Sequence, residues 1–135
     1  MANNTSIKGL EQGRAKFAHN CAFVGSKEIR KREYKSYVKK VPMLIKTNGL
    51  GETFAFINSK KSHDKNKPGY AYLLIYNQTA DWLKTDQKIK PDDDLLEKII
   101  SMDSFEYRAV TNEVIAYFKW LIRFADGLIK GETDE

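Results

Sequence analysis

The spacing of apolar residues in the last part of the chain constrains its fold more than any other feature of the sequence. Between residues 104 and 129, large apolar side chains recur three or four positions apart, which places them on one side of an α-helix. At about 100° per residue they fall within an arc of about 120°. They are Tyr107, Val110, Val114, Tyr117, Phe118, Leu121, Phe124, Ala125 and Leu128. The pattern predicts a long C-terminal helix that is central to the core.

The rest of the chain repeats this helical spacing in shorter segments. The sequence has only three prolines, and no Asn-Gly turn joins two alternating runs of the kind that form a β-hairpin. Pro42 suits the first turn of a helix, because its missing N–H has no helical partner there. Helices are therefore expected at about 5–24, 27–40, from 42 onward, 69–85, 93–101 and 104–129. The sequence predicts an all-α fold, a single compact helical bundle of about five to seven helices.

One domain is expected to span residues 1–135, because this length lies within the usual range for a single domain. The segment 60–69 has almost no apolar content and contains turn formers, so we expect an exposed loop there. The acidic end of the chain, at about 130–135, is expected to form a short frayed tail.

The composition indicates the environment in which the protein works. Cys21 is the only cysteine, so the chain can form no internal disulfide and offers no cysteine pair for a metal. No run approaches the roughly 18–20 apolar residues of a membrane span, and the N-terminus lacks the apolar core of a signal peptide. We therefore expect a cytoplasmic, soluble protein with no membrane partner.

Basic and acidic residues are unevenly distributed between the two halves of the chain. Residues 1–67 contain 15 Lys and Arg against five Asp and Glu, whereas residues 68–135 contain eight against 13. A positive surface of this kind attracts nucleic acid through phosphate neutralisation and counterion release. Lysines that merely keep a small helical protein in solution explain the charge alone equally well.

Two helical faces concentrate the basic residues. On the first face a lysine recurs every four residues, at Lys27, Lys31, Lys35 and Lys39. The second lies opposite the apolar arc of the last helix and comprises Arg108, Asn112, Lys119 and Arg123. Like charges at this spacing repel one another, which makes an anionic partner attractive as an explanation. A solvated face remains an alternative, as do ion pairs of these arginines with Glu106 or Glu113.

Few residues could carry out catalysis. His19 and His63 have no partners at an informative spacing, and no phosphate-binding, nucleophile-elbow or dinucleotide motif is present. Asp92, Asp93 and Asp94 have the oxygen ligands that hard cations prefer. Three adjacent carboxylates point in different directions, however, and at the start of a helix they suit capping. The sequence predicts a protein that is not an enzyme and has no cofactor.

Two longer blocks carry unusual combinations of residues in a fixed order. The first reads YKSYVKKVPMLIKTNGLG at 34–51 and is followed by FAF at 54–56. The second reads DSFEYRAVTNE at 103–113 and continues to WLIRFADGL at 120–128. In order and content they closely resemble the small subunit of type III-B CRISPR-Cas (Cmr) complexes. In that family a Y-x-x-x-V-K-K-x-P-x-L-I-x-x-N-G-L block precedes the patterns Y-R-x-x-T-x-E and W-L-x-R-F-A-x-G-L.

This resemblance implies a helical bundle without catalytic activity, several copies of which lie beside the repeated backbone subunit that carries the crRNA. It implies that these copies line the guide–target channel and contact the target RNA, while cleavage belongs to other subunits. It also suggests why basic residues gather near the first block. The candidate RNA-binding residues are Lys31, Lys35, Lys39, Lys40, Lys46, Asn48, Arg108, Lys119 and Arg123.

Two other functions stay open on the sequence alone. A purely structural adaptor bridges proteins without touching RNA, and its acidic half meets the basic half of the next copy to build a filament. A metal-dependent nuclease uses Asp92, Asp93 and Asp94 and cleaves RNA only when a divalent cation is present. The expected partners in the main interpretation are other Cmr subunits, further copies of the chain, crRNA and target RNA.

Overall fold

Six α-helices and no strand make up the part of the chain whose structure is described. The computed structural model describes residues 2–131, and for residues 2–8 it describes the backbone alone. The helices are α1 (Ala2–Ser26), α2 (Lys31–Asn48), α3 (Leu50–Lys60), α4 (Gly69–Thr85), α5 (Leu95–Ser101) and α6 (Ser104–Leu128). The prediction of an all-α bundle with five to seven helices is confirmed.

The C-terminal helix α6 is the centre of the bundle and packs mainly against α1 and α2. Its apolar face is buried at Val110, Val114, Tyr117, Phe118, Leu121 and Ala125. Across the contact with α1, the ring of Phe17 lies 6.3 Å from that of Tyr117. The central position predicted for this helix is confirmed. Only the end of the predicted arc differs, because Leu128 is 38% exposed at the last turn.

The second helix runs through Pro42 instead of beginning there. The prediction that Pro42 starts a new helix is wrong, because α2 spans Lys31–Asn48 without interruption. A proline inside a helix removes a backbone hydrogen bond and costs about 3 kcal/mol. Burial offsets this cost, since one buried stripe continues on both sides of the proline. It comprises Tyr34, Val38, Val41 and Ile45. The helix ends instead at Gly49, whose φ of 91° favours glycine.

The turn between α1 and α2 depends on Gly25 and on the buried ring of Tyr34. A side-chain carbon at position 25 would overlap that ring, so the close approach of the two helices requires glycine. The Tyr34 hydroxyl donates to Gln78 Oε1 at 2.6 Å. The Gln78 amide in turn donates to the carbonyl oxygen of Cys21 at 3.1 Å. These hydrogen bonds satisfy buried polar groups and join α1, α2 and α4.

Side-chain caps define the starts of the last two helices. The Asp94 carboxylate accepts a hydrogen bond from the backbone N–H of Glu97 at 3.1 Å and caps α5. Asp103 caps α6 in the same way, through the backbone N–H of Glu106 at 2.8 Å. The capping function predicted for the aspartate run is therefore confirmed at Asp94. Residues 132–135 of the predicted acidic tail lie outside the described residues.

The connection between α3 and α4, residues 61–68, is held by local hydrogen bonds. The backbone N–H of Asp64 donates to Ser62 Oγ at 3.1 Å. The Asp64 carboxylate accepts from the backbone N–H of Asn66 at 3.0 Å. Arg30, just before α2, donates to the carbonyl oxygen of Asn66 at 2.7 Å. This connection is therefore fastened to the N-terminal end of α2.

A partly buried ion pair joins α1 to α6. The carboxylate of Glu113 accepts two hydrogen bonds of 2.7 Å from the guanidinium of Arg14. The indole N–H of Trp82 donates to the same carboxylate at 2.8 Å. Burial acts to raise the pKa of Glu113, but the bonds from Arg14 and Trp82 outweigh it and lower that pKa below its ordinary value. The ionised carboxylate joins α1, α4 and α6.

Glu113→Gln is expected to lower the free energy of unfolding by about 2 kcal/mol at pH 7, between the values for exposed and for fully buried pairs, because the partly buried Arg14 then loses its counter-ion. Since the folded-state pKa of Glu113 is depressed, its contribution is present above the unfolded-state pKa and disappears as the pH falls through the folded-state value. Urea denaturation of both proteins at pH 7 and at successively lower pH measures the difference.

Glu106→Gln is the matched control for this substitution. Glu106 pairs with Lys98 at 3.5 Å, and the two side chains are 37% and 28% exposed. Partly exposed pairs of this kind contribute less than about 1 kcal/mol. The role assigned to Glu113 is contradicted if the two substitutions destabilise the protein equally. It is also contradicted if Glu113→Gln remains less stable than the wild type by the same free energy in acid.

Candidate nucleic-acid interface

The helices α2 and α6 lie side by side in opposite directions, which fixes where the predicted cations lie. Near the C-terminal end of α6, Lys35 Nζ is 3.1 Å from the carbonyl oxygen of Ile129. One turn further along α2, Lys39 Nζ is 3.4 Å from Asp126 Oδ1. Just beyond the other end of α2, the backbone N–H of Gly51 donates to the Tyr107 hydroxyl near the start of α6. Lys35 and Lys39 of the first predicted basic face therefore border the line along which α2 and α6 pack, which we call the α2–α6 seam.

Two of the predicted RNA-binding lysines have partners inside the protein. Lys35 donates to a carbonyl at the C-terminal end of α6, where the helix dipole is negative and a cation is stabilising. Lys39 forms an ion pair with Asp126, and the two side chains are 36% and 46% exposed. Such a pair contributes less than about 1 kcal/mol. Both lysines therefore take part in anchoring the end of α6.

The remaining candidates in α2 divide between two sides of the helix. Lys31 and Lys46 are exposed and lie within about 60° of each other, on the side that borders α6. Lys40 follows Lys39 directly and lies about 100° further round. Together with Asn48 it lines a cavity of about 370 Å³ between α2, α3 and α4. The structure does not bring the α2 candidates to a single face.

The candidates in α6 form an exposed strip between α1 and α2. They are Arg108, Lys119 and Arg123, and Asn112 lies among them. None of the four forms a side-chain hydrogen bond or an ion pair with another described residue. The alternative of neutralisation by neighbouring glutamates is not observed. Glu106 pairs with Lys98, and Glu113 pairs with Arg14.

Two of these cations also line an open groove between α1 and α6. Lys119 and Arg123 share this groove, of about 600 Å³, with Arg14, Trp120 and one carboxylate, that of Glu11. The ring of Trp120 stacks on that of Phe124 at a centroid distance of 5.8 Å. The groove therefore combines exposed cations at its rim with an aromatic wall, a combination that suits a nucleic-acid backbone. The place of Trp120 on this surface was not predicted from the sequence.

The pairing of Arg14 with Glu113 was not predicted from the sequence, although the sequence contains a signal for it. Arg14 lies four residues after Leu10 and three before Phe17, at helical spacing from two apolar residues. Glu113 lies three residues after Val110, beside the apolar arc of the last helix. Charges on the core-facing sides of two helices need counter-ions when they are buried. Only the contact between α1 and α6 identifies these two as partners.

Comparison with known proteins agrees with this architecture. The sequence profile of the family described as CRISPR-associated protein (Cas_Cmr5) matches residues 10–128. The chain belongs to the Cmr5 family. The CRISPR system Cmr subunit Cmr5 of Thermus thermophilus is 28% identical over 100 residues, which are 73% of this chain and 76% of that protein. The crystal structure of a CRISPR-associated Cmr5 family protein from Thermus thermophilus has a TM-score of 0.73 and 26% identity, covering 89% of this chain and 96% of that chain.

Membership of the Cmr5 family confirms the predicted relationship to the small subunit of type III-B Cmr complexes. The matched segment includes both blocks that carry the resemblance and all the candidate RNA-binding residues. Within the described residues, no helix is long and apolar enough to span a membrane. The same part of the chain has no group of three or more His, Cys, Asp or Glu side chains placed to hold a metal ion.

Lys35→Gln is expected to lower the free energy of unfolding by about 1 kcal/mol, because it removes a charged hydrogen bond at the C-terminal end of α6. Lys31→Gln is the control, since it removes the same charge from an exposed side chain one turn earlier in α2. The control is expected to change stability by less than about 0.5 kcal/mol. Chemical denaturation compares the two, and equal stability contradicts an anchoring role for Lys35.

Proposed function

We propose that this chain is a non-catalytic small subunit of a crRNA-guided type III-B CRISPR effector complex that acts in antiviral defence in the cytoplasm. The subunit lines the guide–target channel and contacts target RNA through basic faces of α2 and α6. Its partners are the other Cmr subunits, including the repeated backbone subunit, together with further copies of itself, the crRNA and the target RNA. Membership of the Cmr5 family supports the assignment to the complex.

The observation that supports the RNA contact is a set of unpaired cations on the exposed sides of α2 and α6. They are Lys31, Lys46, Arg108, Lys119 and Arg123, all of them exposed and without a hydrogen bond or ion pair to any other described side chain. Like charges on adjoining helices repel and do not stabilise the fold. RNA phosphates supply the opposite charge, and binding releases the counterions condensed on the strand.

The length of α6 suits contact with an extended strand. Arg108 and Arg123 are 15 positions apart, which corresponds to about 22 Å along a helix. Contacts over this distance neutralise phosphates of several nucleotides without distinguishing the bases. Sequence recognition then comes from base pairing between the guide and the target. The weak contacts of a single subunit add up when several copies are arrayed along one complex.

Lys119→Glu/Arg123→Glu is expected to weaken target RNA binding by the reconstituted complex by about tenfold or more at low salt. Each lost phosphate contact is also expected to reduce the slope of log affinity against log salt concentration by about 0.7 to 0.9. Titration of labelled target RNA across a salt series measures both quantities. The subunit composition of each complex is verified by native mass spectrometry before the titration.

Lys84→Glu/Lys90→Glu introduces the same change of charge at the end of α4 and in the connection that follows it, in a separate depression from the groove of Lys119 and Arg123. This control complex is expected to keep the wild-type affinity and salt slope. An equal loss in both complexes indicates a general electrostatic effect instead of a contact. Wild-type affinity and slope in the Lys119→Glu/Arg123→Glu complex reject RNA contact by α6.

A structural adaptor that stacks into filaments is the second candidate function, and exposed apolar side chains at both ends of the bundle favour it. The contacts of Arg14 with Glu113 and of His19 with Phe124 show that α1 and α6 run parallel. Their C-terminal ends therefore lie together, and that end exposes Phe23, Val24, Ile29 and Leu128. Toward the opposite end the exposed apolar side chains are Leu10, Ile100 and Phe105, the last of them 80% exposed.

Ile100→Asp/Phe105→Asp is expected to abolish concentration-dependent self-association of the purified chain if its ends stack on one another, because each substitution adds a charge to an apolar contact. Sedimentation velocity over a range of protein concentrations measures the association. Lys119→Glu/Arg123→Glu serves as the control and is expected to associate like the wild type. A wild-type chain that stays monomeric at the highest concentration contradicts stacking by these ends.

A further inference from the structure

A second surface lies on the side of α2 that faces α3 and α4. Tyr37 and Tyr72 stack there with a centroid distance of 4.0 Å and an interplanar angle of 10°. Phe56 is 41% exposed, and its ring meets that of Tyr72 edge-on at 5.8 Å. The tyrosine pair lines the 370 Å³ cavity on one side and a more open cavity of about 440 Å³ on the other. We call the surface formed by Tyr37, Phe56 and Tyr72 the tyrosine groove.

The side chains at the rim of the tyrosine groove are polar. Lys40, Asn48 and Glu52 line the first cavity. None of these three forms a side-chain hydrogen bond or an ion pair within the described part of the chain. Lys60 and Lys67 line the second cavity, and Lys60 Nζ lies 5.8 Å from the centre of the Phe56 ring. Three lysines, an amide and a carboxylate therefore surround the aromatic rings.

Tyr37 and Tyr72 pack partly against the core, but core packing does not account for the unpaired polar side chains at the rim. The hydroxyls of Tyr37 and Tyr72 are neutral at neutral pH, as ordinary phenols are, and can donate hydrogen bonds; partial burial raises the pKa of each. An apolar side chain of a partner protein could fill the cavity, but it would remove water from Lys40, Asn48 and Glu52 without replacing their hydrogen bonds. A ligand that matches both the rings and the polar rim needs a flat apolar face, polar edges and a negative charge.

A nucleotide in a single strand has all three properties. The face of its base packs against aromatic side chains, and the edge of the base donates to and accepts from amide and carboxylate groups. Its phosphates bind lysine ammonium groups. Contacts between a base and an aromatic side chain form with any RNA sequence, because each base has a π-face. Such a contact is compatible with a complex in which guide pairing selects the target.

We propose that the tyrosine groove binds an unpaired base of single-stranded RNA, with Lys40, Lys60 and Lys67 contacting the flanking phosphates. This inference rests on the proposed function, because it takes RNA as the partner of the chain. It adds a contact on the side of α2 that faces away from α6, so the groove and the α2–α6 seam are separate surfaces. Each can therefore be altered without changing the other.

The test measures binding of a fluorescent oligouridine RNA to the purified full chain at low salt and across a salt series. Tyr72→Leu keeps an apolar side chain but removes the ring, and Phe56→Leu does the same at a more exposed position. Both are expected to weaken binding about fivefold or more and to leave the salt slope unchanged, since the phosphate contacts remain. Tyr72→Phe keeps the ring and is expected to bind like the wild type.

Two further measurements make the result specific to the groove. Thermal unfolding verifies that each variant is folded at the temperature of the titration. Target RNA that contains 4-thiouridine is crosslinked within the reconstituted complex, and the crosslinked peptides are identified by mass spectrometry. Crosslinks at Tyr37, Phe56 or Tyr72 in the wild type support the inference.

Different results would overturn the groove inference and the proposed function. If the two leucine variants bind like the wild type while Lys119→Glu/Arg123→Glu binds weakly, the groove inference is overturned and the proposed function stands. If Tyr72→Leu binds RNA normally but no longer enters the complex, the groove is a protein-docking site and the inference is again overturned. If the wild type neither binds the RNA at low salt nor forms crosslinks, both proposals fail.

Discussion

Much of this bundle depends on the way in which α6 is packed, with α1 on one flank and α2 on another. These two contacts leave one strip of the helix in solvent, and that strip carries Arg108, Lys119 and Arg123. Rotation of α6 would expose Tyr117 and Phe118 or bury a cation, and both changes cost free energy. The packing that forms the core therefore also decides which cations of this helix can reach a partner.

The ion pair between Arg14 and Glu113 specifies the orientation of α6 more closely than apolar packing alone would. Apolar cores tolerate many alternative arrangements of similar volume, whereas a bidentate pair with two bonds of 2.7 Å fits a single register of α1 against α6. The bond from Trp82 extends the same register to α4. An apolar replacement of the whole pair could be equally stable, but loss of one partner leaves a buried charge.

The lysines of α2 serve different purposes because they occupy different sides of one helix. Lys35 and Lys39 contact the end of α6, while Lys31 and Lys46 stay exposed beside the strip of cations on that helix. Lys40 lies on the other side, at the rim of the tyrosine groove. One basic helix thus separates two surfaces, and both carry exposed cations. This arrangement gives the proposed RNA contact more than one point of attachment to a strand.

The sequence by itself determined the helical class, the position of α6 in the core and the family, since apolar periodicity and motif order are local properties of the chain. The bounds expected for the fourth helix, 69–85, agree with those of α4. Only the tertiary structure decided that α2 continues through Pro42, that Arg14 pairs with Glu113, and that the α2 lysines divide between two sides. Each of these depends on which helices meet and at what angle. Periodicity within one helix shows which face is buried, but it carries no information about the element that covers that face.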